Sequence, residues 1–391
     1  MKKILLSTIA IATIATAGGL VDTTTTYVNP DNTNAEIDAL KSQMATMSNK
    51  LNELENRPVV TATPTKVQEP RHKGTIVKSH APVLKFSGTH YLGFVNKKDN
   101  KGDRTNKFET RRNYLQVKAY FKENPKDYAR ITLDTHDVKG DSAVHLKYAY
   151  LYLDNVLPNT GVEFGQAHRP WIDYEEHNGW NYRSISKTLV EAKYGADITN
   201  SADRGINFKT KTPYFSSELG VFNGEGYHNA EDGEGLSGEW RLTGHILGTG
   251  KEHTKKSLNY ANVSFFGQQN KKSNKHGNQD LNWMGVHAVY NQPAFLVAAQ
   301  YIDVQDGIAS QKGTGYSVNG EYRVTPKWNL LGRYDYFDMD DNSGEKKRTI
   351  GGIAYKYNKN VEFIANYIKE DGSKVGTNSN DKIMLTADVE W

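Results

Sequence analysis

The chain has 391 residues, no cysteine and a formal charge of +4. The missing thiols exclude disulfides, thiolate zinc sites, cysteine nucleophiles and a lipid-anchored amino-terminal cysteine, and the near balance of charge lacks a nucleic-acid binder's basic excess. Hydrophobic residues are 37% of the chain, with 23 Tyr, 13 Phe and 34 Gly; this is a strand-and-turn composition without a helical membrane span, and its aromatic content argues against disorder.

In chain order, the first segment reads as an export signal. Lys2 and Lys3 form its charged end, Ile4 to Thr16 its apolar run, and Ala15-Thr16-Ala17 an A-x-A cleavage site, so residues 1–17 are expected to be removed. The apolar run is shorter than the roughly 20 residues of a membrane-spanning helix. Export excludes the cytoplasm. Residues 18–34 are rich in Thr and Asn. Over 35–57, Ile37, Leu40, Met44, Met47, Leu51 and Leu54 recur at alternating spacings of three and four, the a/d seam of a short coiled-coil helix. Residues 58–82 carry Pro58, Pro64, Pro70 and Pro82 and read as an extended linker. A helix held away from its domain buries its seam against copies of itself; the alternative is an amphipathic helix packed on its own domain.

From 83 to 391 the helical period gives way to alternation. Strands are expected near 83–95, 107–122, 127–138, 143–154, 160–168, 203–212, 215–223 and 237–248, then near 257–268, 281–291, 294–304, 314–325, 327–338, 348–357, 360–370 and 381–391. Connections alternate between short turns and longer loops rich in Gly, Asn, Asp and Lys. The connection from Thr249 to Lys256 is the long exception among the short ones. Sixteen strands joined this way predict an all-β fold, a 16-stranded antiparallel transmembrane β-barrel preceded by a short N-terminal α-helical coiled coil. Ile131 and Leu133 share one strand face and Arg130, Thr132 and Asp134 the other, which suits lipid outside and water inside. Tyr91, Tyr152, Tyr174, Trp328, Tyr336, Tyr357, Tyr367 and Trp391 lie where interfacial girdles are expected. Barrel closure removes the unpaired edges that an open sheet could not leave in lipid.

The last strand alternates through Ile383, Leu385, Ala387 and Val389 to a terminal Trp391, the signal that the outer-membrane assembly machinery reads. The longest connection, 168–202, holds Trp171, Ile172, Tyr174, Trp180, Tyr182, Ile185 and Leu189. Such anchors suit a constriction loop folded against the inner wall better than an extracellular flap.

These features resemble the bacterial outer-membrane porins, and most closely the phosphate-selective porin O and P type. Arg111-Arg112-Asn113-Tyr114-Leu115, Ala149-Tyr150-Leu151-Tyr152, Val162-Glu163-Phe164-Gly165-Gln166 and the terminal strand carry the resemblance. It implies a homotrimer whose third outer loop enters the channel, set among outer-membrane lipid and lipopolysaccharide, with the N-terminal segment in the periplasm. The expected function is passive diffusion of small ions and hydrophilic solutes, with a mild anion preference and phosphate as candidate solute. No catalytic set, cofactor, metal site or nucleic-acid partner is expected. The competing reading is a structural protein tethered to the cell wall through its coiled coil.

With the apolar face assigned to lipid, Lys and Arg outnumber Asp and Glu on the inner face. Candidate pore-lining or constriction residues are Arg112, Lys118, Arg130, Arg241, Arg323 and Arg333 on the wall, with Arg169, Arg183, Lys187, Lys193, Glu175 and Glu176 on the long loop. The loop runs the other way in charge, its four cations meeting Asp173, Glu175, Glu176, Glu191, Asp197 and Asp203. Two near-motifs lack their defining residues. Gly248-Thr249-Gly250-Lys251 lacks the spacing and hydroxyl of a phosphate loop, and the Asp338, Asp340 and Asn342 series lacks the Gly and Glu of a calcium loop.

Overall fold

A computed structural model describes residues 82–391 except 139–140, 230–234, 252–255, 274–278, 309–310, 341–343 and 373–378, together with 41–42, 45–46 and 49–50. The chain divides into two compact units, Met1–Val77 and Lys78–Trp391. In the first, Lys41, Ser42, Ala45, Thr46, Asn49 and Lys50 are helical and exposed, and Thr46 Oγ1 donates to the Ser42 carbonyl at 2.9 Å. The export signal, the linker as far as residue 81 and the six seam residues lie outside the described residues.

The second unit is a closed barrel of sixteen strands. They are β1 (Val83–Lys98), β2 (Arg104–Tyr120), β3 (Tyr128–Val138), β4 (Asp141–Leu157), β5 (Thr160–His168), β6 (Ala202–Lys211), β7 (Phe215–Phe222) and β8 (Ser237–Leu247). β9 (Tyr260–Ser273), β10 (Gln279–Gln292), β11 (Phe295–Asp306), β12 (Gly313–Arg323), β13 (Trp328–Met339), β14 (Gly344–Lys356), β15 (Val361–Gly372) and β16 (Asn380–Glu390) complete it. Each strand pairs antiparallel with its sequence neighbours, and β1 pairs with β16, so no edge is left open. Most predicted strands match within a few residues. β9 starts later than expected because Ser257 belongs to a turn that enters the barrel.

Exposure alternates along the strands in the sense opposite to a water-soluble sheet. Ile131 and Leu115 are exposed, whereas Thr132 and Asp134 are buried. On β16, Ile383 and Leu385 are exposed and Met384 and Thr386 buried. The outer wall is therefore apolar where a soluble protein would be polar, as hydrocarbon requires. Outward aromatics form two bands: Tyr290, Tyr322, Trp328, Tyr357 and Phe363 toward the short turns, and Tyr301, Tyr316 and Tyr367 toward the long loops. Three of the expected girdle residues are interior instead. Tyr91 and Tyr174 are buried, and Tyr152 pairs in register with the buried Glu163 and stacks on Tyr128 at 5.1 Å. Strand parity sends Tyr91 inward because it sits opposite the inward Arg112.

Register shifts interrupt simple alternation at several strand pairs, and two of them reset side chains on the β1–β4 wall. At the β1–β2 shift, Tyr91 pairs with Arg112 and Leu92 with Thr110, leaving Arg111 as the extra residue. Arg111 reaches Glu109 at 2.7 Å and Thr386 at 2.5 Å, both on the inner face. A strict period of two would have aimed this arginine at lipid. The β3–β4 shift leaves Lys147 as the extra residue beside Tyr148, and both are buried inside.

Closure ends on Trp391. Its backbone exchanges hydrogen bonds with Gly88 at 2.9 and 3.1 Å, and its ring lies over Gly88, where an added Cβ would sit 2.4 Å from Cε2. The indole Nε1 donates to His90 Nε2 at 3.0 Å. Replacing Gly88 by valine is expected to unseat Trp391 and lower the yield of folded barrel. Heat-modifiable electrophoretic mobility together with tryptophan emission checks this; unchanged yield and emission would show that the seat is dispensable.

Candidate functional site

The connection between β5 and β6 folds into the barrel and contains the helix α1 (Ile172–Asn178). Its apolar residues dock on an apolar stretch of inner wall that strand alternation alone did not reveal. Trp171, Ile172, Tyr174, Leu189, Val190 and Ile198 cluster with Phe266, Leu281, Trp283, Ile302, Val304, Phe337 and Met339. Trp171 stacks flat on Phe266 with ring centres 3.5 Å apart. Farther along, Trp180, Tyr182 and Ile185 pack with Val95, Leu331, Ile350, Ile364, Ile368 and Met384. The loop thus covers the inner wall of the second half of the barrel. Gly179 permits the closest approach, since a Cβ there would lie 2.8 Å from His287 Nε2.

Buried ion pairs fasten this seam. Arg333 Nη2 lies 3.3 Å from Glu175 Oε1 and Arg333 Nε 2.8 Å from Asp335 Oδ1, while the guanidinium sits 5.0 Å from the Trp180 ring centre. Glu175 also accepts from Gln300 Nε2 at 2.8 Å and Trp171 Nε1 at 3.0 Å. Arg348 pairs with Asp335 and donates to the Lys187 carbonyl at 2.8 Å. At the start of the loop, Arg169 joins Glu239, Thr199 and Asp203. Arg241 donates to the Pro170 carbonyl at 3.3 Å and Glu218 at 3.0 Å, beneath the Tyr174 ring.

Burial pushes Glu175 up to about 7, with Arg333 pulling back. Burial acts likewise on Glu191, yet Arg183 and Lys187 outweigh it and hold that carboxyl well below its usual range. A carboxyl raised by folding stabilises the folded state below its ordinary 4.5, a contribution lost as pH rises through about 7. The wild-type unfolding temperature is therefore expected to fall across that window, and Glu175→Gln to flatten the fall. Parallel profiles for the two proteins would contradict this.

What the loop leaves open is a cavity of about 1040 Å³ against the wall of β1–β4 and the short-turn rim. Arg112, Tyr114, Gln116, Arg130 and Tyr148 line it from the wall, and Asp173, Glu176, His177, Asn181 and Arg183 from the loop. Arg112 lies between two tyrosines, 5.2 Å from the Tyr91 ring centre and 4.4 Å from that of Tyr114. Its Nε is 3.9 Å from Asp134, and among the described residues its side chain has no hydrogen-bond partner. Arg130 packs on Tyr148 at 4.6 Å and bonds Thr132 and the Tyr150 hydroxyl. Lys118, paired in register with Arg130, lies 4.6 Å over the Tyr128 ring. Cation–π contact of this kind holds a cation in place without spending its hydrogen bonds.

Of the twelve residues singled out from the sequence, Arg112, Arg130, Arg183, Arg323 and Glu176 line the cavity. Lys118 is on the same wall. Arg169, Arg241, Arg333 and Glu175 are buried in the loop-to-wall seam, and Lys187 and Lys193 are exposed on the loop. Much of the loop's acidity is internally paired: Glu175 with Arg333, Glu191 with Arg183 and Lys187, Asp203 with Arg169. Asp173 and Glu176 remain on the cavity, beside His177 and Arg183. Sequence reasoning missed Arg111 and Lys256. The Arg-Arg doublet in an alternating strand was the available sign of a bulge, and the unusual length of the β8–β9 connection the sign of an inward turn.

The sequence profile of the family described as phosphate-selective porin O and P matches residues 90–389. The chain belongs to this family. Family and barrel together place the porin in the bacterial outer membrane and make it a channel rather than an enzyme. No curated protein sequence matches the chain. Among solved structures, the fold is similar to an anion-selective porin from Comamonas acidovorans (TM-score 0.61, 12% identity, 79% of this chain and 99% of that one). It is also similar to Salmonella typhi OmpF in complex with daunomycin (TM-score 0.56, 15% identity, 80% and 98%). A third match is the trimer form of in-vitro folded OmpT from Vibrio cholerae (TM-score 0.54, 14% identity, 80% and 100%).

Proposed function

We propose that this porin is a passive diffusion channel for small ions and hydrophilic solutes with a mild anion preference, phosphate being the candidate solute. The observation that carries the preference is Arg112, a cavity-lining guanidinium with unspent donors held between two tyrosine rings. Arg130 and Lys118 continue a basic track along the same wall. Guanidinium donors in a low-dielectric cleft attract anions and grip oxyanions in pairs. The loop 168–202 serves as the constriction, since it fills the side of the lumen opposite that track.

The assembly is a homotrimer embedded in lipid and lipopolysaccharide, a reading supported by the trimer form of the Vibrio cholerae relative by fold. The N-terminal 35–57 segment forms a periplasmic coiled coil joined by the 58–82 linker, after removal of residues 1–17. Trp391 is the residue the assembly machinery reads. Single-channel reversal potentials in a potassium chloride gradient test the preference. A potential on the chloride side supports it, and one on the potassium side removes it while leaving the channel in place.

A further inference from the structure

The β8–β9 connection, 248–259, is the longest at the short-turn rim, and its last residues turn into the barrel. Lys256 and Ser257 line the cavity there. Two wall side chains fix this position. Arg323 Nη1 donates to the Lys256 carbonyl at 3.1 Å and to the Gln292 carbonyl at 2.6 Å. Asn291 Nδ2 donates to the Lys256 carbonyl at 3.3 Å and the Leu258 carbonyl at 2.6 Å, and Arg323 Nη2 donates to Asn291 Oδ1 at 2.9 Å. Strands β10 and β12 thus hold the backbone at 256 in place, and they do so through side chains whose other roles are equally local.

The Lys256 side chain then projects over the inserted loop. Its Nζ lies 5.1 Å from the Tyr182 ring centre and 3.5 Å from Glu321 Oε2. Glu321 is already engaged by Arg323 Nε at 2.6 Å, so the carboxylate is shared between two cations and does not fully neutralise either. Lys256 stays 39% exposed to the cavity while Glu321 is 2% exposed. The positive end is accessible and the negative end is not. Lys356, Lys359, Glu362, Asp388 and Glu390 complete the charged rim of this mouth.

We propose that Lys256 is a selectivity-determining residue of the short-turn mouth, a cation carried into the route by a rim connection and acting in series with Arg112 on the wall. The proposal rests on the channel reading and not on the sign of overall selectivity. A fixed charge near one mouth biases ions arriving from that bath more than from the other, so it also makes current asymmetric with voltage.

The chain has no cysteine, so Lys256→Cys creates a unique thiol. In planar bilayers this variant is expected to lower the anion-to-cation permeability ratio about twofold. A trimethylammonium methanethiosulfonate reagent added from the short-turn side is expected to restore the ratio. A sulfonatoethyl reagent should lower it further, and a neutral methyl reagent should leave it unmoved. Lys256→Gln, which keeps a long polar side chain, should show the unlabelled loss. Equal effects from labels of opposite sign, with labelling verified by mass, would overturn the proposal and leave Lys256 a strut beneath Tyr182. A folded barrel that carries no current would instead overturn the channel reading itself.

Discussion

Replacing Arg333 by alanine is expected to free the inserted loop and destabilise the barrel by about 3–5 kcal/mol, the cost of stripping one partner from a buried ion pair. Arg333 is 3% exposed and joins a loop carboxylate, Glu175, to a wall carboxylate, Asp335. Without it Asp335 keeps Arg348, but Glu175 keeps only its neutral partners, Gln300 and Trp171. Arg333→Lys should recover little, because an ammonium cannot span two carboxylates as a planar fork does. Thermal unfolding reads the loss of stability, and single-channel conductance reads the freed loop as larger, noisier steps once it no longer fills its side of the lumen. Wild-type stability and conductance in Arg333→Ala would show that the apolar seam alone secures the loop.

The second large effect concerns selectivity rather than stability. Arg112→Glu should move the reversal potential from the chloride side across zero, with the permeability ratio falling at least about threefold as one lumen charge changes by two units. Folding should survive, because the Arg112 side chain contributes no hydrogen bond among the described residues and its ion pair with Asp134 is long at 3.9 Å. Arg169→Glu is the contrasting variant. It carries the same change of charge, but that arginine is buried among Glu239, Asp203 and Thr199, so the expected loss is of folded protein. An unchanged reversal potential in folded Arg112→Glu would place the ion route elsewhere in the barrel.

The contrast between these two arginines shows what a sequence reveals here and what it hides. Strand order, barrel closure and the length of the inserted loop follow from period-two alternation and turn composition, which are local. The terminal strand was legible for the same reason. The direction of Arg111 was not, since a single extra residue in β2 resets the parity after it. Nor was the apolar inner wall at Phe266, Trp283 and Phe337, because its cover, Trp171 to Ile198, comes from a loop distant in sequence. Counting the loop's carboxylates suggested an acidic constriction. Glu175, Glu191 and Asp203 instead meet arginines inside the fold, so formal charge along the loop differs from charge presented to the cavity. Lys256 needed the same long-range information, since Arg323 and Asn291 place it.

Water and small solutes are expected to pass between the inserted loop and the β1–β4 wall. Liposome swelling with folded, reconstituted protein and a series of uncharged sugars of increasing size tests it most directly. The expected result is swelling that slows steeply with solute size and quickens in Arg333→Ala. Liposomes that stay sealed to the smallest sugar, with the barrel verified as folded in the same vesicles, would contradict this route.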